Sequence, residues 1–254
     1  GFFLGGWLLA TVGFQHAVAI MDSVFGLVLA LSILLLDRTT GIAKKPQPFK
    51  HLFSKSSAVN RLSAARFFLF GSRDIWFVVA LPVFLQSQLQ WSYVQVGSMM
   101  AAWVVAYGVV QTVAPKVTII GKTVQDSNIT HPSGRTAFRW VALLCLVPAA
   151  IAGGLYAVGG NSSLVAIGLV SGLLVFGALF AINSSIHSYL IVAYAREDGT
   201  SLDVGFYYMC NAAGRLVGTL LSGLVYQQFG LAACLLLSSI MLITTAVISR
   251  KLPG

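Results

Sequence analysis

Several ionisable side chains, among them Arg73, Asp74 and Arg215, lie within apolar stretches of this chain, where such groups are costly. The stretch FFLFGSRDIWFVVALPVFL, residues 67–85, is long and apolar enough to cross a bilayer, yet Arg73 and Asp74 lie near its middle. An arginine at the bilayer centre costs about 2.5–3.5 kcal/mol on insertion scales, so arginines there are usually functional. A guanidinium group is a planar fork that suits phosphate or carboxylate. The pattern predicts that Arg73 and Arg215 bind an anion.

The composition indicates a polytopic membrane protein. Of the 254 residues, 57% are hydrophobic and 9% are charged, whereas about 25% are charged in an ordinary soluble domain. The net charge of +9 could suggest nucleic acid, but most of the basic residues lie in a few loops between the apolar stretches. That placement follows the positive-inside rule of membrane proteins. We therefore expect the lipid bilayer, and not nucleic acid, as the partner.

The apolar stretches predict about eight transmembrane helices, since a span needs about 20 mostly apolar residues. The predicted helices are a shortened first one at 1–13 and seven more near 17–36, 62–86, 91–114, 138–158, 164–194, 204–226 and 231–249. Every second connection (FQH, QSQLQW, GGNSS, YQQFG) has no charged residue, whereas the others hold nearly all the Lys and Arg. This alternation predicts that the basic loops and both ends of the chain face the cytoplasm.

The longest basic loop divides the chain into three parts. Residues 1–37 would be the last two helices of an N-terminal bundle, 38–61 a basic cytoplasmic linker, and 62–254 a C-terminal six-helix bundle. Residues 49–53 of the linker are expected either to lie on the inner leaflet as a short amphipathic segment or to be solvated. A fragment of a twelve-helix 6+6 fold is the organisation of the major facilitator superfamily, in which the substrate site lies at the midplane.

Four of the predicted helices carry polar side chains at helical spacing, which predicts that they line a central path. The four stripes are Arg66 and Arg73; Trp103, Tyr107 and Gln111; Asn183, His187 and Tyr194; and Asp203, Tyr207, Asn211 and Arg215. Helices 138–158 and 231–249 have almost no polar residues in their interiors and are predicted to be outer helices facing lipid.

The stripes supply the candidate site residues. We expect the anion to be bound by Arg73 and Arg215, with Arg66 nearer the cytoplasmic end, and Asp74 or His187 to couple transport to protons. The candidate substrate-binding set is Arg73, Arg215, Asn211, Asn183, Tyr107, Gln111 and Arg66. The helical angle of about 100° between neighbours predicts that Asp74 points away from Arg73.

Structural roles for the same residues remain open alternatives. Either Arg73 or Arg215 would then pair with Asp74 or Asp203 and hold two helices together. Asn183 and Asn211 would form hydrogen bonds between helices instead of binding substrate.

Several other chemistries lack their sequence motifs. The pair Gly121–Lys122 has neither the upstream glycine nor the following helix of a phosphate-binding loop, which argues against ATP-driven pumping. The sequence contains no H-E-x-x-H or G-x-S-x-G motif and no pair of catalytic carboxylates. The cysteines share no metal-binding spacing. We therefore expect neither an enzyme nor a bound cofactor or metal.

Three segments resemble one known family. They are SAARFFLFGSRDIWFVVALPVFL at 63–85, the opening GFFLGGWLLATVGF, and MCNAAGRLVGTLLSGLVYQ at 209–227. They are similar to the organoarsenical efflux permeases of the ArsJ type, a bacterial branch of the major facilitator superfamily. The similarity runs along essentially the whole chain, including the linker AKKPQPFKHLFSKS.

The resemblance implies a specific transported molecule and a functional partner. The family works with a glyceraldehyde-3-phosphate dehydrogenase that uses arsenate, and exports the product 1-arseno-3-phosphoglycerate, which gives arsenate resistance. It also implies a location in the bacterial inner membrane. In this reading Arg73 and Arg215 take the oxyanions. The hydroxyl groups of the transported molecule would be bound by Asn183, Asn211, Tyr107 and Gln111.

Overall fold

The structure is a computed structural model that describes residues 1–36, 56–119, 132–158, 162–195 and 199–253. Within these ranges the regular elements are all helices. They are α1 Phe2–Leu35, α2 Ser57–Phe77, α3 Ala80–Ser87, α4 Tyr93–Ile119, α5 Gly134–Leu144, α6 Leu146–Ala157, α7 Ser162–Tyr194 and α8 Thr200–Ser249. Most of the predicted linker 38–61, including residues 49–53, lies outside the described residues, so its alternatives remain open.

In the described part of the chain, six helices are long and apolar enough to cross a membrane, counting α2 with α3 and α5 with α6 as one span each. This is consistent with a multi-pass membrane protein. The described residues form six such helices where about eight were predicted. The difference arises at FQH and YQQFG, which we expected to be loops but which are helical on both sides of a single glycine. These glycines, Gly13 and Gly230, have φ values of 75° and 76°.

Gly230 reverses the direction of α8. The Cys234 thiol lies 3.9 Å from the Ser222 carbonyl oxygen, although 12 residues of straight helix would separate them by about 18 Å. A left-handed φ is accessible to glycine without the clash that a Cβ atom would cause. The helix can therefore fold back within one residue, which gives two arms on either side of Gly230.

The two arms of α8 pack against α2 in opposite directions. In the first arm, Gly214 lies against the Phe67 carbonyl, and Ser222 accepts a hydrogen bond from the Ala80 amide, so this arm runs parallel to α2. In the second arm, Ser238 donates to the Ser72 carbonyl at 2.7 Å. Further along the chain, the Lys251 carbonyl accepts a hydrogen bond from Arg61. The second arm is therefore antiparallel to α2.

Helix α7 also runs antiparallel to α2, and aromatic side chains fill the space between them. Phe70 of α2 packs edge-on against Phe180, and Trp76 packs edge-on against Phe176, with ring centroids 5.1 and 5.0 Å apart. Trp103 of α4 joins this core and donates from Nε1 to the Leu173 carbonyl at 2.7 Å. Buried aromatic rings of this size contribute much of the packing energy of a core.

Compact packing separates the described residues into two units. The larger contains those of 52–90 and 103–254, and therefore all the helix contacts above. The smaller contains those of 1–51 and 91–102. In the smaller unit α1 meets the start of α4 at Gly6 and Gly97, whose Cα positions allow close backbone approach. The predicted boundaries at 37 and 61 stay a prediction.

The two helices predicted to face lipid each have one buried and one exposed face. On the second arm of α8, Ser238 and Thr245 are buried, whereas Ile240 and Val247 are more than half exposed. On α5 and α6, Leu146 and Tyr156 are 63% and 70% exposed. Large apolar side chains on the outside of a helix bundle are typical of a protein surrounded by lipid.

Gly214 is expected to be essential for the packing of α8 on α2, because a Cβ atom there would collide with the main-chain carbonyl of Phe67. Overpacking of this kind costs about 1–3 kcal/mol. Gly214→Ala should lower the free energy of unfolding by that amount, measured by thermal unfolding of the purified protein in detergent. The control is Gly223→Ala in the same arm, where nothing lies within 4 Å of the added atom. Equal stability of the two variants would contradict the contact.

Candidate anion site

A cluster of three charged side chains joins α2 to the first arm of α8. Arg73 Nε donates to Asp74 Oδ1 at 2.6 Å, and Arg73 Nη2 lies 2.6 Å from the same oxygen. Arg215 Nε donates to Asp74 Oδ2 at 3.0 Å. Each oxygen of the Asp74 carboxylate therefore binds a different guanidinium group. The cluster lies near the middle of the span Ser57–Ser87.

The prediction that Asp74 points away from Arg73 is wrong. Neighbouring Cβ atoms on a helix do diverge by about 100°, but the arginine side chain is long enough to curve around the helix to the carboxylate. Pairing of Arg215 with Asp203 is excluded by distance, because 12 residues of the same helical arm separate them by about 18 Å. These contacts match the alternative in which Arg73 and Arg215 pair with Asp74 and hold two helices together.

The cluster carries a net positive charge, and its members differ in exposure. The Asp74 side chain is 1% exposed, Arg73 is 13% exposed and Arg215 is 54% exposed. A carboxylate this buried is tolerated only when paired and hydrogen-bonded. The terminal nitrogens Nη1 and Nη2 of Arg215 make no hydrogen bond to any residue that the structure describes. They leave a charged fork open to a ligand.

Arg66 contacts the same phenylalanine ring, Phe70, as Arg73 does, but its hydrogen-bonding partners are all neutral. Its Nε donates to Asn211 Oδ1 of α8 at 3.2 Å. Its Nη1 donates to both the carbonyl oxygen and the hydroxyl of Ser184 on α7, each at 3.2 Å. Its guanidinium carbon lies 3.9 Å from the centre of the Phe70 ring and 5.0 Å from that of Tyr207. Arg66 thus ties together three helices.

Phe70 confirms the predicted shared face of Arg66 and Arg73. The Arg73 guanidinium carbon lies 5.0 Å from the centre of the Phe70 ring, so both arginines contact the same side chain. Such contacts between a cation and an aromatic face are worth about 0.5–2 kcal/mol. The seven-residue spacing therefore brings two cations to one place.

The polar residues predicted on α4 and α7 are only partly brought to this cluster. Tyr107 is half-buried and stacks on Trp103 with ring centroids 5.8 Å apart, while Gln111 makes no hydrogen bond to a described residue. Asn183 Nδ2 donates to the Leu179 carbonyl of its own helix at 3.2 Å. Asn183 Oδ1 and both ring nitrogens of His187 are buried without a partner in the described part of the chain.

Ser184 is the site residue that the sequence prediction missed. A serine in an apolar helix usually bonds to its own backbone, so it gave no separate signal. Its position beside Asn183, on a helix already predicted to line the path, was the available indication. Asn211, by contrast, was predicted, and its side-chain oxygen does serve as a bond between helices in this structure.

Elsewhere in the described chain, Arg250 and Lys251 line one cavity and Arg61 and Lys251 another, but both cavities lie at helix ends and not near the middle of a span. A cavity of about 490 Å³ between α6 and α7 is lined almost wholly by apolar side chains such as Leu155, Leu164 and Val175. No three His, Cys, Asp or Glu side chains come together as a metal site would require, within the described ranges. The arginine clusters are therefore the candidate site.

No protein-family model matches this chain, and none of the curated proteins compared with it matches either.

Asp74 is expected to stabilise the fold, since it compensates two cations while nearly fully buried. Removing one partner of a buried ion pair costs about 3–5 kcal/mol. The half-exposed Arg215 contributes little of this because its pair is screened, so we expect Asp74→Asn to lower the free energy of unfolding by about 3 kcal/mol. Thermal unfolding in detergent measures it. The control is Asp22→Asn on the exposed face of α1, with less than about 0.5 kcal/mol expected. A similarly small change in Asp74→Asn would contradict the shared pair.

Proposed function

We propose that this chain forms the C-terminal part of a secondary transporter of the major facilitator superfamily, which exports a small organic anion by alternating access. The observation that carries the proposal is the Arg73–Asp74–Arg215 cluster, with its net positive charge near the middle of an apolar span. Charged groups at such depth are expensive and in membrane proteins are associated with substrate and ion pathways.

The geometry of the cluster supports an anionic substrate over a cationic one. Asp74 uses both of its oxygens on arginines, so it offers nothing to a cation. Arg215 has an exposed side chain whose terminal nitrogens lack a described partner. A guanidinium fork binds carboxylate, phosphate or arsenate oxygens through two parallel hydrogen bonds. The anion would therefore meet Arg215 first.

The choice of 1-arseno-3-phosphoglycerate rests on the sequence resemblance alone. That molecule carries oxyanions for Arg73 and Arg215 and a hydroxyl group for the polar side chains of Asn183, Tyr107 and Gln111. Transport would be driven by the proton gradient, with Asp74 or His187 as the coupling residue. The alternative is an organic-phosphate antiporter, which would use the same arginines; a membrane-embedded enzyme is the alternative outside transport.

The decisive experiment is arsenate resistance in a sensitive bacterial strain. The full-length transporter expressed with its arsenate-using dehydrogenase should confer resistance, and neither gene should do so alone, because the exported molecule must first be made. Resistance from the transporter without the dehydrogenase would reject the organoarsenical substrate. No resistance from the pair, with the protein present in the membrane, would reject the proposed function.

The role of the exposed fork is tested by Arg215→Gln in the same strain. Loss of a charged hydrogen-bonding partner costs about 1.5–3 kcal/mol, so the rate of organoarsenical export should fall at least about tenfold. The matched control is Arg250→Gln, an exposed arginine at the end of α8, which should export at the normal rate. Equal export by Arg215→Gln and the unaltered protein would remove Arg215 from the site.

A further inference from the structure

Arg66 stands out because its positive charge has no counter-charge in the described part of the chain. Its partners are an amide oxygen, a carbonyl, a hydroxyl and two aromatic rings, all of them neutral. Its exposure is only 5%. Arg73 and Arg215, in contrast, are both paired with Asp74.

A buried cation without a counter-charge is far more costly than a paired one, because neutral hydrogen bonds replace only part of the lost hydration. If Arg66 only joined helices, a neutral side chain could make comparable contacts with less desolvation. The charge therefore points to a ligand that brings the missing negative charge. Arginines in membrane helices are generally kept for such roles.

Further polar atoms on the turns of α7 next to Ser184 lack partners as well. Asn183 Oδ1 and both His187 ring nitrogens are fully buried and unpartnered among the described residues. Both residues lie within one turn of Ser184, which binds Arg66 directly. A buried polar atom without a partner is destabilising. Several such atoms, close in sequence to the residue that binds an uncompensated cation, support a polar position there.

The position at Arg66 is adjacent to the Arg73 cluster. The guanidinium carbons of Arg66 and Arg73 lie 3.9 and 5.0 Å from the centre of the Phe70 ring, so they are at most about 9 Å apart. On α8, Asn211 and Arg215 lie one turn apart and contact Arg66 and Asp74, respectively. An anion could pass from one cation to the next.

We infer that Arg66 forms a second, inner anion-binding position. The half-exposed Arg215 receives the anion, and Arg66 holds it when the surrounding helices have closed over it. This inference rests on the proposed function and adds to it an ordered pair of positions for the same anionic group. Arg66 would be the residue whose charge the substrate neutralises inside the bundle.

The test measures the effect of inorganic phosphate on the thermal stability of the full-length protein in detergent, at constant ionic strength with chloride exchanged for phosphate. Phosphate should raise the Tm of the unaltered protein by a few degrees, because an anion that binds the folded state stabilises it. Arg66→Met, which keeps the apolar contacts and removes the charge, should lose at least half of that rise. Arg66→Lys, which keeps the charge, should retain most of it.

The control is Arg61→Met on the same helix, an exposed arginine that donates to the Lys251 carbonyl, and its phosphate effect should be unchanged. Equal phosphate effects in Arg66→Met and the unaltered protein would overturn the inner position. The inner position would also be overturned if the Tm of Arg66→Met in chloride alone fell by as much as that of Asp74→Asn. Such a fall would mean that Arg66 only holds the helices together. Neither result depends on arsenate resistance, so each is distinct from a failure of the proposed function.

Discussion

The sharing of one buried carboxylate between two arginines is the interaction on which the rest of the structure depends. Asp74 is almost fully buried, and each of its oxygens holds a different guanidinium group. One carboxylate cannot neutralise two cations, so a positive charge remains near the middle of an apolar span. The half-exposed Arg215 presents that charge outside the core. This imbalance is the observation behind the proposed anionic substrate, because buried charges in membrane proteins are associated with substrate and ion pathways.

The packing of the helices makes this interaction possible. Gly214 and Gly218 allow the first arm of α8 to approach the backbone of α2 at Phe67 and Gly71, which brings Arg215 within reach of Asp74. Gly230 then turns the chain so that the second arm covers another side of α2. On the remaining side, α7 supplies Ser184 to Arg66 and aromatic rings to the core. The contacts between helices that stabilise the fold therefore also position the guanidinium groups of Arg66, Arg73 and Arg215.

Much of this arrangement could be predicted from the sequence, and the remainder could not for physical reasons. The apolar stretches predicted the helices, and the seven-residue spacing of Arg66 and Arg73 predicted their shared face. The Arg73–Asp74 pair was predicted only as an alternative, because the helical angle describes Cβ atoms and not the reach of a long side chain. The number of helices differed because α8 turns back at a single glycine with positive φ, Gly230, where the sequence had predicted a loop between two helices. The partners of Arg66 depend on contacts between distant segments, which periodicity does not encode.

The central claim, that Arg215 lies beside water and an anion path and not against acyl chains, is tested most directly by cysteine labelling. Position 215 would carry the only cysteine, as Arg215→Cys in a full-length protein in which Cys145, Cys210, Cys234 and any cysteine outside this sequence are replaced by alanine. A membrane-impermeant, charged thiol reagent should label it in sealed vesicles of either orientation, because the position faces water. Absence of labelling in both orientations, with the protein folded, would contradict the account.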